Sequence, residues 1–261
     1  MITYSQIQRI AAQEEVFEEI IEKDFLIELL LYYFAKDLYL RNNLVFRGGT
    51  ALKKMYFSTY RYSEDLDFLV NEKYSLDEYE KNINKIFTKI SSDYPFHLDQ
   101  RREYNNGRLQ LFVLYDIITE IQVTKELKID IVQDTYIPEH NKKKIVFTFD
   151  EFKNKNNMIR TYTLESIISD KIGRILDIDN EPRDIFDLYY LMKQKINTHK
   201  VRGEFSKKWG YNFDLHNLLR EFKKQDYIKT WKIRLEKQIR NLPQYEQILE
   251  ELNKILKQKF K

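Results

Sequence analysis

The hydrophobic pattern of this 261-residue chain changes period near residue 150, and that change limits the architectures open to it. Before the change, short apolar runs with period-two alternation lie between helical stretches. After it, every periodic segment is helical. The pattern predicts an α+β fold, with a mixed sheet and flanking helices over residues 1–150 and a helical domain over 151–261. Gly and Pro number only 6 and 4, which favours helices and compact strands over long loops.

Apolar positions recur at helical spacing over 5–21 and 24–41, the second carrying Phe25, Leu26, Leu29, Leu30 and Tyr33. Leu44, Val45 and Phe46 read as a short strand that ends in Gly48-Gly49, and Thr50 to Tyr60 returns to helical character. Further strands are predicted at 96–104, 108–118, 127–132 and 144–149, with a helix over 75–92. Asn105-Asn106-Gly107 is a turn signal that joins the first two of these as a hairpin. Helices are predicted at 164–178, 182–194 and 214–225, and along a basic stretch near 227–260 broken by Pro243.

In Asp65-Leu66-Asp67-Phe68-Leu69-Val70, acidic and apolar residues alternate. A strand sends both carboxylates to one face and Leu66 with Phe68 to the core. A third acidic residue between apolar neighbours occurs in Leu127-Lys128-Ile129-Asp130-Ile131-Val132. Asp116, in Leu114-Tyr115-Asp116-Ile117, is its competitor; the tighter apolar context favours Asp130. A lone D-x-D pair is common on surface strands; it is its combination with the glycine pair upstream that points to a catalytic site.

Several chemistries are excluded. The chain has no cysteine, so disulfides, thiolate zinc sites and cysteine nucleophiles are ruled out, and its four histidines, His97, His140, His199 and His216, lie far apart. Any metal must be held by oxygen. The start of the chain lacks the basic, apolar and small-residue pattern of a signal peptide, and Phe25 to Ala35 is far shorter than the roughly 20 residues of a membrane span. A cytoplasmic protein with no membrane partner is the expectation.

Residues 1–150 hold 20 basic and 25 acidic residues, and 151–261 hold 24 and 16, giving −5 and +8, which sum to the net charge of +3. Such asymmetry suits a phosphate-bearing partner, and equally a lysine-rich solvated surface. Trp231, Arg234, Lys237 and Arg240 invite the same pair of readings, an RNA grip or a solvated amphipathic helix. Tyr56, Tyr60 and Tyr62 are expected in the core rather than stacked on a base.

Backbone amides at Gly49 and Thr50, at a helix start, would suit a phosphate group. Two carboxylates on one strand face, with a third from a neighbouring strand, suit Mg²⁺, which takes few protein ligands plus substrate phosphate. Together they fit in-line displacement at phosphorus with pyrophosphate leaving.

Gly48-Gly49-Thr50-Ala51-Leu52, followed by Arg61-Tyr62-Ser63-Glu64-Asp65-Leu66-Asp67-Phe68, resembles the signature of the AbiEii/AbiGii toxin group within the DNA polymerase β-like nucleotidyltransferases. Ser169-Asp170-Lys171-Ile172-Gly173-Arg174 and Arg183-Asp184-Ile185-Phe186-Asp187-Leu188-Tyr189 are similar to that group's later motifs, so the resemblance runs from about residue 25 to 195. Two departures stand out. Fifteen residues separate Gly49 from Asp65, a gap that suits a full helix, and Thr50 stands where serine is more usual.

The resemblance implies a polymerase β-like palm followed by a helical domain that contributes Lys171 and Asp187 to the cleft. It implies Asp65, Asp67 and Asp130 as ligands of Mg²⁺ or Mn²⁺, and Gly48, Gly49, Thr50, Ser63, Lys171, Arg174, Arg183 and Asp184 as nucleotide-binding residues. Asp187 would orient Lys171 or accept the acceptor's proton. The implied substrate is an NTP, the implied acceptor a tRNA 3′ end, and the implied setting a toxin-antitoxin or phage-defence operon with a cognate antitoxin. Two other readings keep fewer of these features: transfer to a protein or a small molecule such as an antibiotic, and a non-catalytic nucleotide-binding module. The bland reading of Lys171 is a solvated helix residue, and of Arg183-Asp184 a helix-start pair after Pro182.

Overall fold

A computed structural model describes all residues except 1, 97, 119–124 and 179–180, so His97 lies outside the described residues. The chain forms two compact units, residues 1–137 with 141–161, and residues 138–140 with 162–261.

The first unit opens with helices α1 (Tyr4–Glu14), α2 (Glu18–Lys36) and α3 (Leu38–Asn43), where two opening helices were predicted. Asp37 explains the extra break: its backbone is extended and its side chain accepts from the Leu40 amide, stopping α2 and capping α3. Strand β1 (Val45–Arg47) leads into α4 (Gly48–Ala51), which continues as a π turn over Leu52–Tyr56. The helix predicted to reach Tyr60 ends there, with Phe57 extended. Then follow β2 (Asp65–Asn71), α5 (Leu76–Asp93), β3 (Leu98–Asn105), β4 (Arg108–Tyr115), β5 (Lys125–Asp134), β6 (His140–Lys144) and β7 (Met158–Tyr162).

The strands form one sheet in the order β3-β4-β5-β2-β1-β7-β6. The β3–β4 hairpin turns at the predicted Asn105-Asn106-Gly107, with Asn106 and Gly107 both at positive φ. Strand β2 pairs antiparallel with β1 and parallel with β5, so the sheet is mixed. Its apolar face carries Phe46, Leu66, Phe68, Ile129 and Ile131, all fully buried, and Phe46 stacks on Phe68 at 5.1 Å.

Helix α2 is buried on nearly every face, and four of its buried residues are charged: Glu22, Lys23, Asp24 and Glu28. Such charges persist only when paired. The Lys54 ammonium, fully buried, meets Asp24 Oδ2 at 2.8 Å and Glu28 Oε1 at 2.7 Å. Burial alone would lower its pKa, but the two carboxylates outweigh that and hold it above the ordinary lysine value. Glu28 also accepts from the Thr148 amide at 2.8 Å, the Thr148 hydroxyl at 2.6 Å and the Phe149 amide at 3.2 Å. This corrects the strand predicted at 144–149. Ile145, Phe147 and Phe149 are alternately buried as in a strand, but a carboxylate takes the place of a strand partner.

The second unit is helical: α6 (Leu164–Asp177), α7 (Pro182–Met192), α8 (Thr198–Trp209), α9 (Leu215–Glu221), α10 (Gln225–Leu235) and α11 (Tyr245–Lys259). Thr163 caps α6 by accepting from the Ser166 amide, and Gly210 ends α8 in the left-handed conformation. Phe205 gathers Trp209, Tyr211 and Phe213 around it. Gly173 on α6 lets the Trp209 indole lie against the helix backbone, since a Cβ there would stand 1.9 Å from Trp209 Cε2.

Among the described residues, no helix is long and apolar enough to cross a membrane.

Candidate active site

Strand β2 presents Asp65 and Asp67 on the face opposite Leu66 and Phe68, as its alternating burial shows. Residues directly opposite on neighbouring strands project from the same face. The β1 register sets Arg47 against Asp67, the β5 register sets Asp130 against Asp67, and the β4 register sets Gln110 against Asp130. The outcome is a polar row across four strands: Arg47, Asp67, Asp130, Gln110. Asp65 stands one pleat along, beside Lys128. Asp116 follows the last residue of β4 and is outside this row.

Two of the three carboxylates are half-buried, whereas Asp130 is 4% exposed. Its charge is met by Arg108, which opens β4 and reaches back along the sheet. Nε lies 2.7 Å from Asp130 Oδ1, and Nη2 2.5 Å from Oδ2. This is the two-pronged geometry that makes arginine–carboxylate pairs strong.

The glycine pair closes in from the β1–α4 corner. Gly48 has φ +79°, and a Cβ on it would stand 2.5 Å from Asp67 Oδ2. At Gly49 a Cβ would meet Arg61 Nη2 at 2.8 Å and Ser63 Oγ at 3.0 Å. Backbone therefore approaches both the carboxylate strand and the segment leading into it as closely as it can. Thr50 is buried, and its hydroxyl donates to the Asp65 carbonyl at 2.5 Å, which fixes the helix start against β2. No side chain caps the start of this helix, whose first amides lack intrahelical acceptors. Tyr60 and Tyr62 are core residues, and the Lys53 ammonium sits 3.9 Å over the Tyr62 ring.

Among the described residues, no three His, Asp or Glu side chains converge closely enough to hold a metal ion. Both oxygens of Asp130 are engaged by Arg108. Asp65 and Asp67 nonetheless offer hard oxygen donors on one face, and Mg²⁺ is commonly held by one or two carboxylates plus substrate phosphates. The residues present fit such an ion.

The second unit carries its own charged cluster. Lys171 on α6 is 7% exposed, and its ammonium lies 2.5 Å from Asp184 and 2.7 Å from Asp187, both on α7 and both buried. Arg174, one turn along α6, meets Asp184 at 2.8 Å. Burial would raise the Asp184 carboxyl, but Lys171 and Arg174 outweigh it and hold it below the usual carboxylate range. Lys171 is thus no solvated helix residue. The Arg183 guanidinium pairs with Glu181 at the helix start. Trp231 is buried, with Nε1 donating to the Pro243 carbonyl at 2.9 Å, so its ring offers no stacking surface, and α10 ends at Leu235, before Lys237 and Arg240.

Arg108 and Arg47 carry no local signal in the sequence that marks them as neighbours of the carboxylates. The hairpin signal fixed which residues of β3 and β4 face each other, but nothing local reveals that Gln110 opposes Asp130.

The family profile described as "Nucleotidyl transferase AbiEii toxin, Type IV TA system" matches residues 29–256. No curated protein sequence matches. Among solved structures, the chain is similar to MenT4, a nucleotidyltransferase toxin from Mycobacterium tuberculosis H37Rv. The TM-score is 0.71 and the identity 14%, covering 98% of this chain and 88% of that one. The likeness is one of fold, a mixed sheet with helices followed by a helical region.

Proposed function

This chain belongs to the AbiEii family of nucleotidyltransferase toxins of type IV toxin-antitoxin systems, and from that premise we propose that it transfers a nucleoside monophosphate from an NTP to RNA, with the tRNA 3′ end as acceptor. The observation that carries the reading is the placement of Asp65, Asp67 and Asp130 on one sheet face, closed on one side by the Gly48-Gly49 corner.

In the transfer, an acceptor hydroxyl attacks the α-phosphorus, the bond to the β-phosphate oxygen breaks, pyrophosphate leaves and the hydroxyl proton is released. Asp65 and Asp67 would hold Mg²⁺ or Mn²⁺ against the triphosphate. A divalent ion there would neutralise phosphate charge and lower the pKa of the attacking hydroxyl. The Gly49 and Thr50 amides would receive a phosphate oxygen, and the absence of a side chain at residue 49 keeps Arg61 and Ser63 close.

For Lys171 we assign contact with the nucleotide phosphates. Asp187, fully buried and paired to that ammonium, orients it; an acceptor's proton would need a more open carboxylate. Asp184 and Arg174 complete the support. The net charge of +8 over residues 151–261 favours a polyanionic acceptor, and both NTP and tRNA place the protein in the cytoplasm, under the control of a cognate antitoxin.

The test incubates purified protein with Mg²⁺, each labelled NTP in turn, and total RNA or protein extract. Label is expected on RNA of tRNA size, and loss by at least about 100-fold is expected in Asp65→Asn and Asp67→Asn with the melting transition retained. Label on RNA that survives in Asp67→Asn would refute the site, and label on protein alone would refute the acceptor.

A further inference from the structure

We propose that Arg108 is a positioning residue for Asp130: it occupies the third carboxylate while no divalent ion is bound and releases it when one arrives. This rests on the reading of Asp65 and Asp67 as metal-holding carboxylates.

A carboxylate as buried as Asp130 is costly to leave without a counter-ion, so the metal-free protein needs a cation there. Arg108 supplies it through both nitrogens of its fork, and in doing so engages both carboxylate oxygens. In-register neighbours stand about 4.8 Å apart, so an ion held by Asp67 that also takes Asp130 as a ligand would draw on one of those same oxygens. Guanidinium and metal therefore compete for one ligand.

The two ends of the pair differ in a way that suits exchange. The Asp130 side chain is 5% exposed and fixed in the middle of β5, whereas that of Arg108 is 46% exposed and sits at the first residue of β4, beside the Asn105-Asn106-Gly107 turn. Once an ion has taken its place on Asp130, the guanidinium can turn into water without leaving the buried carboxylate unpaired.

The exchange sets the metal affinity. Removing the fork should tighten binding by roughly tenfold, the size of one hydrogen bond between charged groups. The experiment titrates Mn²⁺ into the full, nucleotide-free chain and follows loss of the free-ion EPR signal. Arg108→Gln is expected to bind about tenfold tighter than the unaltered protein. Arg108→Lys, which keeps the charge and loses the fork, should fall between them. Asp67→Asn should lose binding in either background.

Melting in EDTA gives the second readout. Arg108→Gln should melt below the parent without metal, and Mn²⁺ should close that gap; a deficit that Mn²⁺ leaves untouched would mark a merely structural pair and overturn the proposal. Binding to Arg108→Gln no tighter than to the parent, with Asp67 dependence intact in both, would overturn it while sparing the metal site. If no variant shows Asp67-dependent binding, the metal site itself falls and the exchange with it.

Discussion

Gly48→Ala tests the corner on which the catalytic reading turns, and its effect separates into two parts. The backbone there has φ +79°. An L-residue in that region costs roughly 1–2 kcal/mol. The added methyl would also stand 2.5 Å from Asp67 Oδ2, where contacts under 3.0 Å essentially do not occur, so the carboxylate must give way by at least about half an ångström. The strain lowers stability, by about 2–4 °C in melting temperature for each kcal/mol in a unit of this size. The displacement acts on chemistry, where misplacement by about 1 Å costs on the order of 100-fold. Nucleotide transfer by Gly48→Ala should therefore fall by about 10- to 100-fold while the fold survives. The double variant Gly48→Ala/Asp67→Ala removes the carboxylate, and its stability loss relative to Asp67→Ala should shrink to the backbone strain alone. Gly203→Ala is the control, since its Cβ would meet nothing within 4 Å and lies inside α8. Transfer by Gly48→Ala within about threefold of the parent would refute the claim that this turn positions Asp67.

Glu28→Gln leaves the buried Lys54 ammonium with one carboxylate and weakens the bonds to Thr148 and Phe149; a loss of about 3–5 kcal/mol in urea unfolding is expected, and a loss below about 1 kcal/mol would contradict the buried network. Burial pushes Lys53 down to about 8, below its unfolded value of about 10.4. Between these values the unfolded chain binds more protons, so the difference in stability between the parent and Lys53→Met should rise from pH 8 to pH 10, read from denaturant midpoints; a flat difference would contradict it. Gly173→Ala drives a methyl into the Trp209 indole and should destabilise the helical unit by at least the roughly 1–3 kcal/mol of ordinary overpacking, with a change in tryptophan fluorescence as the local readout.

What could be read in advance depended on whether the physics was local. Alternation alone sends Asp65 and Asp67 to one face, and the turn residues Asn106 and Gly107 carry the left-handed angles their hairpin needs. Helices α6 and α7 announce themselves through an apolar stripe, a Thr163 cap and Pro182 in the first turn. Helix α8 went unread because its buried residues are only Val201, Glu204 and Phe205, too narrow a stripe among lysines and with Gly203 inside it. The run at 145–149 misled for the opposite reason, having a strand's alternation while Glu28, more than 100 residues away, supplies the acceptor. The candidate site divides the same way. Its acidic residues lie in local patterns, whereas the pairing of Asp130 with Asp67 and Arg108 is a matter of strand register, which no short window encodes.

The outer strands of the sheet also bear on how copies of the protein meet. Strand β3 is exposed over its last five residues and carries Arg101 and Arg102, and β6 carries Lys142, Lys143 and Lys144. Two molecules offering β6 edge to edge would bring six ammonium groups into one ladder, where directly opposed like charges repel. Open backbone at the rim of a seven-stranded sheet invites lateral growth into fibres, and the lysines of β6 oppose it at that edge.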